Sequence, residues 1–153
     1  MSGTEREAPD GAEMGLLLAG VACVLVAYFM PAVVFQGRGA THGLSIFDKL
    51  PLMSLVAFAA LGAAVATRLV PNLRRWAEQA TIAAIVIALV PAIYGFVIAI
   101  DAWSGVRATI LQIAGTRSVK IDPGLAYLPL AAGAALMGAS LRHRLRRLVP
   151  AAA

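Results

Sequence analysis

Four stretches of this 153-residue chain run without Asp, Glu, Lys or Arg for long enough to cross a lipid bilayer. A helix rises about 1.5 Å per residue, so roughly 20 apolar residues cover a hydrocarbon core of about 30 Å. Met14–Phe35 and Gln79–Ile100 are 22 residues each, Leu50–Thr67 is 18 and Pro123–Leu141 is 19. Each is apolar around its whole circumference, where a soluble amphipathic helix would carry a polar stripe. Composition points the same way. With 60% hydrophobic and 14% charged residues, against about 45–50% and about 25% in soluble domains, too few charged side chains remain to cover a water-soluble globule. High hydrophobicity excludes a disordered chain, and the single cysteine, Cys23, excludes an intrachain disulfide.

The expected fold is an all-α membrane protein, a four-transmembrane-helix bundle with a short outer amphipathic helix and a small β element in the outer loops. Residues 1–13 read as an acidic, disordered N-terminus. Residues 14–148 read as one membrane domain, with spans at about 14–35, 50–70, 79–101 and 123–142, and residues 149–153 as a C-terminal tail. The third span has eleven Leu, Ile, Val or Phe residues, roughly −3 to −7 kcal/mol on the insertion scale before its Pro and Gly are charged against it. The fourth has five Leu in a background of Ala and Gly, roughly −1.5 to −3 kcal/mol, and is the weakest of the four. The first is too long for the apolar core of a cleaved signal sequence, and its leader (Glu5, Glu7, Asp10, Glu13 against Arg6) is acidic.

Orientation follows from Lys and Arg in the loops. With four spans, Arg6, Arg68, Arg74, Arg75 and the cluster Arg142, Arg144, Arg146 and Arg147 share one side, eight charges. Arg38, Lys49, Arg107, Arg117 and Lys120 lie opposite, five charges. Both termini are therefore expected in the cytoplasm of a bacterial inner membrane; two Lys against eleven Arg, with abundant Ala, suit a GC-rich genome.

Asp48 is expected to cap the second helix, with Pro51 where its missing N–H costs little. Pro91, mid-way along the third, removes the hydrogen bond to the Ile87 carbonyl and is expected to kink that span. Trp76, Trp103 and Tyr127 fall at span ends, where amphipathic rings favour the headgroup layer. In the second outer loop, Val106, Ile110 and Ile113 have the spacing of a short helix lying on the membrane or capping the bundle. Arg117–Ile121 then alternates like a strand and is expected to pair with the β-prone run around Ser45.

Gly15, Ala19, Cys23 and Ala27 recur every fourth residue, a ridge of small side chains that admits close helix packing. Ala59, Ala63 and Thr67, then Ala84, Ala88 and Ala92, then Ala131, Ala135 and Ala139 form similar ridges. The plan resembles that of small uncharacterised bacterial four-helix inner-membrane proteins and, loosely, the claudin arrangement of four spans with a structured outer loop. The paired tryptophan and cysteines of the claudin loop are missing, so the resemblance implies architecture and no residue roles.

No span carries an internal ionisable group, the usual mark of an intramembrane active site. His42 and His143 are expected on opposite sides, which argues against a shared haem or metal, and no nucleotide loop, zinc spacing or nucleophile elbow is present. The reading is a non-enzymatic membrane protein without catalytic residues, cofactor or metal. It acts as an accessory, assembly or scaffold subunit through the lipid bilayer and a membrane-protein partner or self-association, with no nucleic-acid role. The alternatives are a homo-oligomeric channel or transporter, with Ser54, Thr67, Thr81 or Tyr94 lining a path, and a non-catalytic partner subunit of a membrane enzyme.

Overall fold

The computed structural model describes residues 10–37, 40–114 and 120–148. In chain order the elements are α1 (Gly11–Phe29), β1 (Pro31–Gly37), β2 (Ala40–Ser45), α2 (Ile46–Lys49) and α3 (Pro51–Leu69). A 3₁₀ helix (Pro71–Trp76), α4 (Ala77–Ala114), β3 (Lys120–Pro123) and α5 (Tyr127–Leu148) complete the order. Among the described residues three helical stretches are long and apolar enough to cross a membrane: Gly11–Phe29, Pro51–Leu69 and Pro71–Val97. α5 is not among them, because Arg142, Arg144, Arg146 and Arg147 lie inside its final turns.

The first helix begins and ends earlier than its apolar run. Gly11–Glu13, read above as leader, form its first turn, and it stops at Phe29. Met30 is extended, with ψ 154°, as steric conflict with the following proline ring demands. Beyond Pro31, the β-branched and aromatic run Val33–Val34–Phe35 suits a pleated surface and becomes β1.

That strand is the centre of a three-stranded antiparallel sheet ordered β2-β1-β3. Val33 faces Leu44 on one side and Pro123 on the other; Phe35 faces His42 and Ile121. The expected β element is present, with a different pairing: among the described residues the late strand is Lys120–Pro123, residues 117–119 of the expected run lying outside them, and it joins β1, not the run around Ser45. β1 intervenes because an apolar strand hidden at the end of an apolar span is indistinguishable from more helix by hydropathy. The Gly124 N–H donates to the Ala32 carbonyl (2.8 Å) and the Ala126 N–H to Pro31 (3.2 Å), which fastens the start of α5 to the end of α1. A Cβ on Gly124 would fall on the Pro31 carbonyl.

Asp48 does not cap α3. It is the third residue of α2, where the Ser45 hydroxyl accepts from the Asp48 N–H (3.1 Å) and the Asp48 carboxylate accepts from Ser45 N–H (3.3 Å) and Oγ (2.7 Å). This reciprocal box satisfies donors that the helix start leaves orphaned. Leu50 caps α3, with Pro51 as its first residue.

Among the described residues there is no separate outer helix. α4 runs 38 residues through Pro91, Asp101 and Trp103 to Ala114, about 57 Å at 1.5 Å per residue. Val106, Ile110 and Ile113 belong to this continuation; their side chains, like that of Trp103, lie outside the described residues.

α1 packs most extensively and antiparallel on α5, and α3 on α4, so the molecule is two helical pairs laid together. Leu17, Val24, Ala27, Tyr28, Ala57, Leu61, Ala84, Ala88 and Met137 form the centre of the core. Tyr28 Oη donates to the Ala88 carbonyl (2.7 Å), tying α1 to α4 near Pro91. Near the sheet, Tyr28, Phe29, Phe47 and Phe58 cluster with ring centroids 5.2–6.1 Å apart.

A small cavity of about 20 Å³ lies between the sheet, α2 and α4, with Leu50, Gly95 and Phe96 on its wall. A Cβ on Gly95 would meet Leu50 Cδ1 at an ordinary 3.6 Å. Gly95→Ala should therefore stabilise the protein by about 0.5–1 kcal/mol through reduced chain entropy within a helix, read as a rise in detergent melting temperature.

Candidate functional site

The densest polar chemistry lies at the end of the bundle opposite the sheet. Glu13 occupies the first turn of α1 and Arg68 the last turn of α3, so each charge complements the helix dipole at its own terminus. The antiparallel packing brings them together. Arg68 is 0% and Glu13 4% exposed, and Arg68 Nε donates to Glu13 Oε1 at 2.6 Å.

Arg68 is gripped on a second side by α4. Its Nη1 donates to the Ala77 carbonyl (2.9 Å) and to Thr81 Oγ1 (3.0 Å), and Thr81 Oγ1 itself donates to Ala77 (2.7 Å). Nη2 makes no hydrogen bond. α5 closes the remaining side. Ser140 Oγ donates to the Glu13 carbonyl (2.9 Å), and Arg144 lies 3.7 Å from Glu13 Oε1 and 3.5 Å from Glu78 Oε1. Arg144 Nη2 also donates to the Arg74 carbonyl (3.1 Å), and Arg74 Nε to the Arg68 carbonyl (3.4 Å). Two carboxylates and three guanidiniums thus join α1, α3, the 3₁₀ helix, α4 and α5 in one clasp.

Burying ions is costly, and their mutual attraction offsets that cost only with good geometry and satisfied neighbours. Arg68, with one carboxylate, one hydroxyl and one carbonyl as acceptors, meets most of that condition. The chemistry available here is electrostatic fastening of helices that otherwise meet through small apolar side chains.

Sequence reasoning missed this cluster, because Glu13 and Arg68 fall one residue outside their charge-free runs. A signal did exist: opposite charges at the same-side boundaries of two spans.

The other sequence-derived positions are dispersed. Ala27 is buried and Cys23 half-buried, but Gly15 and Ala19 are exposed on the outer face of α1. The face that α1 turns inward runs through Glu13, Leu17, Gly20, Val24 and Ala27. Its small-residue contact is Gly20 on Gly133: a Cβ on Gly20 would lie 2.8 Å from the Gly133 carbonyl, and one on Gly133 2.7 Å from that of Gly20. Among the other ridges, Ala84, Ala88, Ala92 and Thr67 are buried, whereas Ala59, Ala63, Ala131, Ala135 and Ala139 are exposed.

Pro91 is buried within the unbroken α4. Trp76 is 51% exposed at the end of the 3₁₀ helix. Tyr127 opens α5, edge-on to Phe96 with centroids 5.6 Å apart. Arg142 and Arg146 are exposed and Arg144 is drawn into the clasp; the Arg147 side chain lies outside the described residues. Among the described residues no group of three or more His, Cys, Asp or Glu could hold a metal ion. An open, apolar groove of about 490 Å³ lies at the sheet end between Phe96 and the segment Pro123–Leu128. No protein-family model, curated protein or solved structure matches the chain.

Proposed function

We propose that this chain is a four-span protein of the bacterial inner membrane, with both termini cytoplasmic, that works without catalysis as an accessory, assembly or scaffold subunit. The fourth span in this reading is α5. Ser140 meets Glu13, Gly133 meets Gly20, and Ala126 is bonded to Pro31, so α5 lies along the whole of α1, which supports its crossing beside α1. Its weak hydropathy reflects Ala and Gly at the contact and Arg at its end. Among the described residues the clasp end then carries seven arginines and faces the cytoplasm under the positive-inside rule.

The observation that carries the docking reading is the division of chemistry between inside and outside. Glu13 and Arg68 are engaged with one another, while Leu52, Leu55, Val56, Val86, Val90, Ile93 and Val97 point outward. No more than 33% of any of the three apolar stretches is buried within the chain. Such a surface meets lipid and other helices.

A channel or transporter is less well supported, on a specific observation. Ser54, Thr67 and Thr81 are buried, but each hydroxyl donates to a carbonyl of its own helix, at Leu50, Ala64 and Ala77. This local back-bonding occupies each donor, and burial at 0%, 7% and 0% keeps the three hydroxyls from lining an open path. Tyr94 is on the outside.

Purification from its native membrane in mild detergent should bring down other polypeptides in fixed ratio. A homogeneous homo-oligomer that passes solutes in liposomes would overturn the proposal in favour of a channel. A reporter fused after Ala153 should report from the cytoplasm, and one placed between residues 115 and 119 from the periplasm.

A further inference from the structure

The clasp leaves a residue of charge. Glu13 is paired with Arg68 and Arg144, and Glu78 with Arg144. Arg75, Arg142 and Arg146 stand exposed at the same end with no acidic partner among the described residues. Each lies beside apolar surface. The Arg75 guanidinium sits over the Trp76 ring, 5.4 Å from its centroid, in a 3₁₀ helix whose Leu73 is 42% exposed and which follows the exposed Leu69 and Val70. Arg142 and Arg146 are four residues apart and share one face of α5, roughly opposite the face from which Arg144 enters the clasp, with the exposed Leu145 between them in sequence.

We infer that this end of the bundle is a collar for anionic phospholipids. Headgroup phosphates are received by Arg75, Arg142 and Arg146, and the upper acyl segments lie against Leu69, Leu73 and Trp76. The pattern fits an amphiphile: Arg75 stands over Trp76 beside the exposed Leu69, Val70 and Leu73, and Arg142 and Arg146 flank the exposed Leu145, so each cation is paired with apolar surface, as a phosphate on an acyl chain requires and a polar acidic peptide does not. A basic residue at an anionic bilayer surface contributes about a fivefold factor in binding. An indole with a cation against its face suits the headgroup layer. The inference rests on the membrane placement proposed above.

The test uses the full chain in neutral detergent, titrated with phosphatidylglycerol, phosphatidylcholine or inorganic phosphate and read by thermal unfolding. Phosphatidylglycerol should raise the melting temperature at concentrations where phosphatidylcholine does not. High salt should weaken the effect by screening. R75Q/R142Q/R146Q should reduce the preference roughly 100-fold, as three fivefold factors. Lys49→Gln, an exposed cation at the other end, should leave it intact. Equal response to both lipids, an equal response to free phosphate, or a preference that survives the triple substitution would overturn the collar. So would an acidic polypeptide, in place of lipid, lost from the purified triple variant. Alkaline washing of membranes separates the two levels: release of the protein defeats the membrane reading itself, while retention without lipid preference defeats only the collar.

Discussion

Gly133→Leu is expected to lower the melting temperature in detergent more than any other added side chain in the helix interfaces. At this position α1 and α5 touch backbone to backbone. An added Cβ would stand 2.7 Å from the Gly20 carbonyl, 2.7 Å from Val24 Cγ2 and 3.0 Å from the Val24 nitrogen. The Gly20 side is equally closed, at 2.7 Å to Met137 Cγ and 2.8 Å to the Gly133 carbonyl. Backbone cannot swing aside as a flexible side chain can, so the helices must separate along the contact that binds them. Overpacking costs typically about 1–3 kcal/mol, occasionally more, and a leucine here belongs at or above the upper end. Gly15→Ala and Gly138→Ala are the controls: neither position has anything within 4 Å, and each should be neutral or stabilising by up to about 1 kcal/mol from helix propensity. A Gly133→Leu protein that melts with wild type would show that α1 and α5 do not meet at these glycines. Gly15→Leu adds a second use, because it leaves the internal packing alone; loss of co-purifying polypeptides from that variant would map docking to the outer face of α1.

Glu13→Gln should have an effect of comparable size. It leaves Arg68, 0% exposed, charged without its carboxylate, a situation that costs about 3–5 kcal/mol when one partner of a buried pair is removed. Arg68→Met alone strands the Glu13 carboxylate, with Arg144 3.7 Å away as partial compensation, and should cost somewhat less. The double substitution Glu13→Leu/Arg68→Met should recover most of the loss, since apolar replacement of a whole buried pair is often neutral. Chemical unfolding of wild type, Glu13→Leu, Arg68→Met and this double variant closes the cycle and yields the coupling energy. A coupling below about 1 kcal/mol, the range of exposed surface pairs, would mean that the clasp is open to water and contributes little to joining the helical pairs.

The two predictions differ in how much of their basis can be read along the chain. The apolar stretches are legible because hydrocarbon thickness constrains each segment separately: length and absence of charge are local properties. Three of the four emerge as helices meeting that criterion, and the Arg-rich end of α5 explains the fourth's shortfall. The β element is legible from the alternation before Asp122. The centre of its sheet is not, because Val33, Val34 and Phe35 are as apolar as the helix before them and only the stop at Pro31 separates the two.

Which face of each helix turns inward lies beyond the linear pattern. In α1 the spacing of four through Gly15, Ala19 and Cys23 is as regular as the buried phase through Leu17, Gly20 and Val24. In Ala- and Gly-rich helices several phases offer a smooth ridge, and packing, unlike insertion into lipid, depends on the shape of the other helix. The same holds for Glu13 and Arg68, 55 positions apart. Each taken singly is an ordinary charge at a span boundary. The chain alone determined that three of its segments are long and apolar enough to leave water, because the transfer of a segment into lipid depends on that segment. Only the tertiary structure decided that Gly20 meets Gly133 and that Glu13 holds Arg68, because a contact's energy belongs to two surfaces at once.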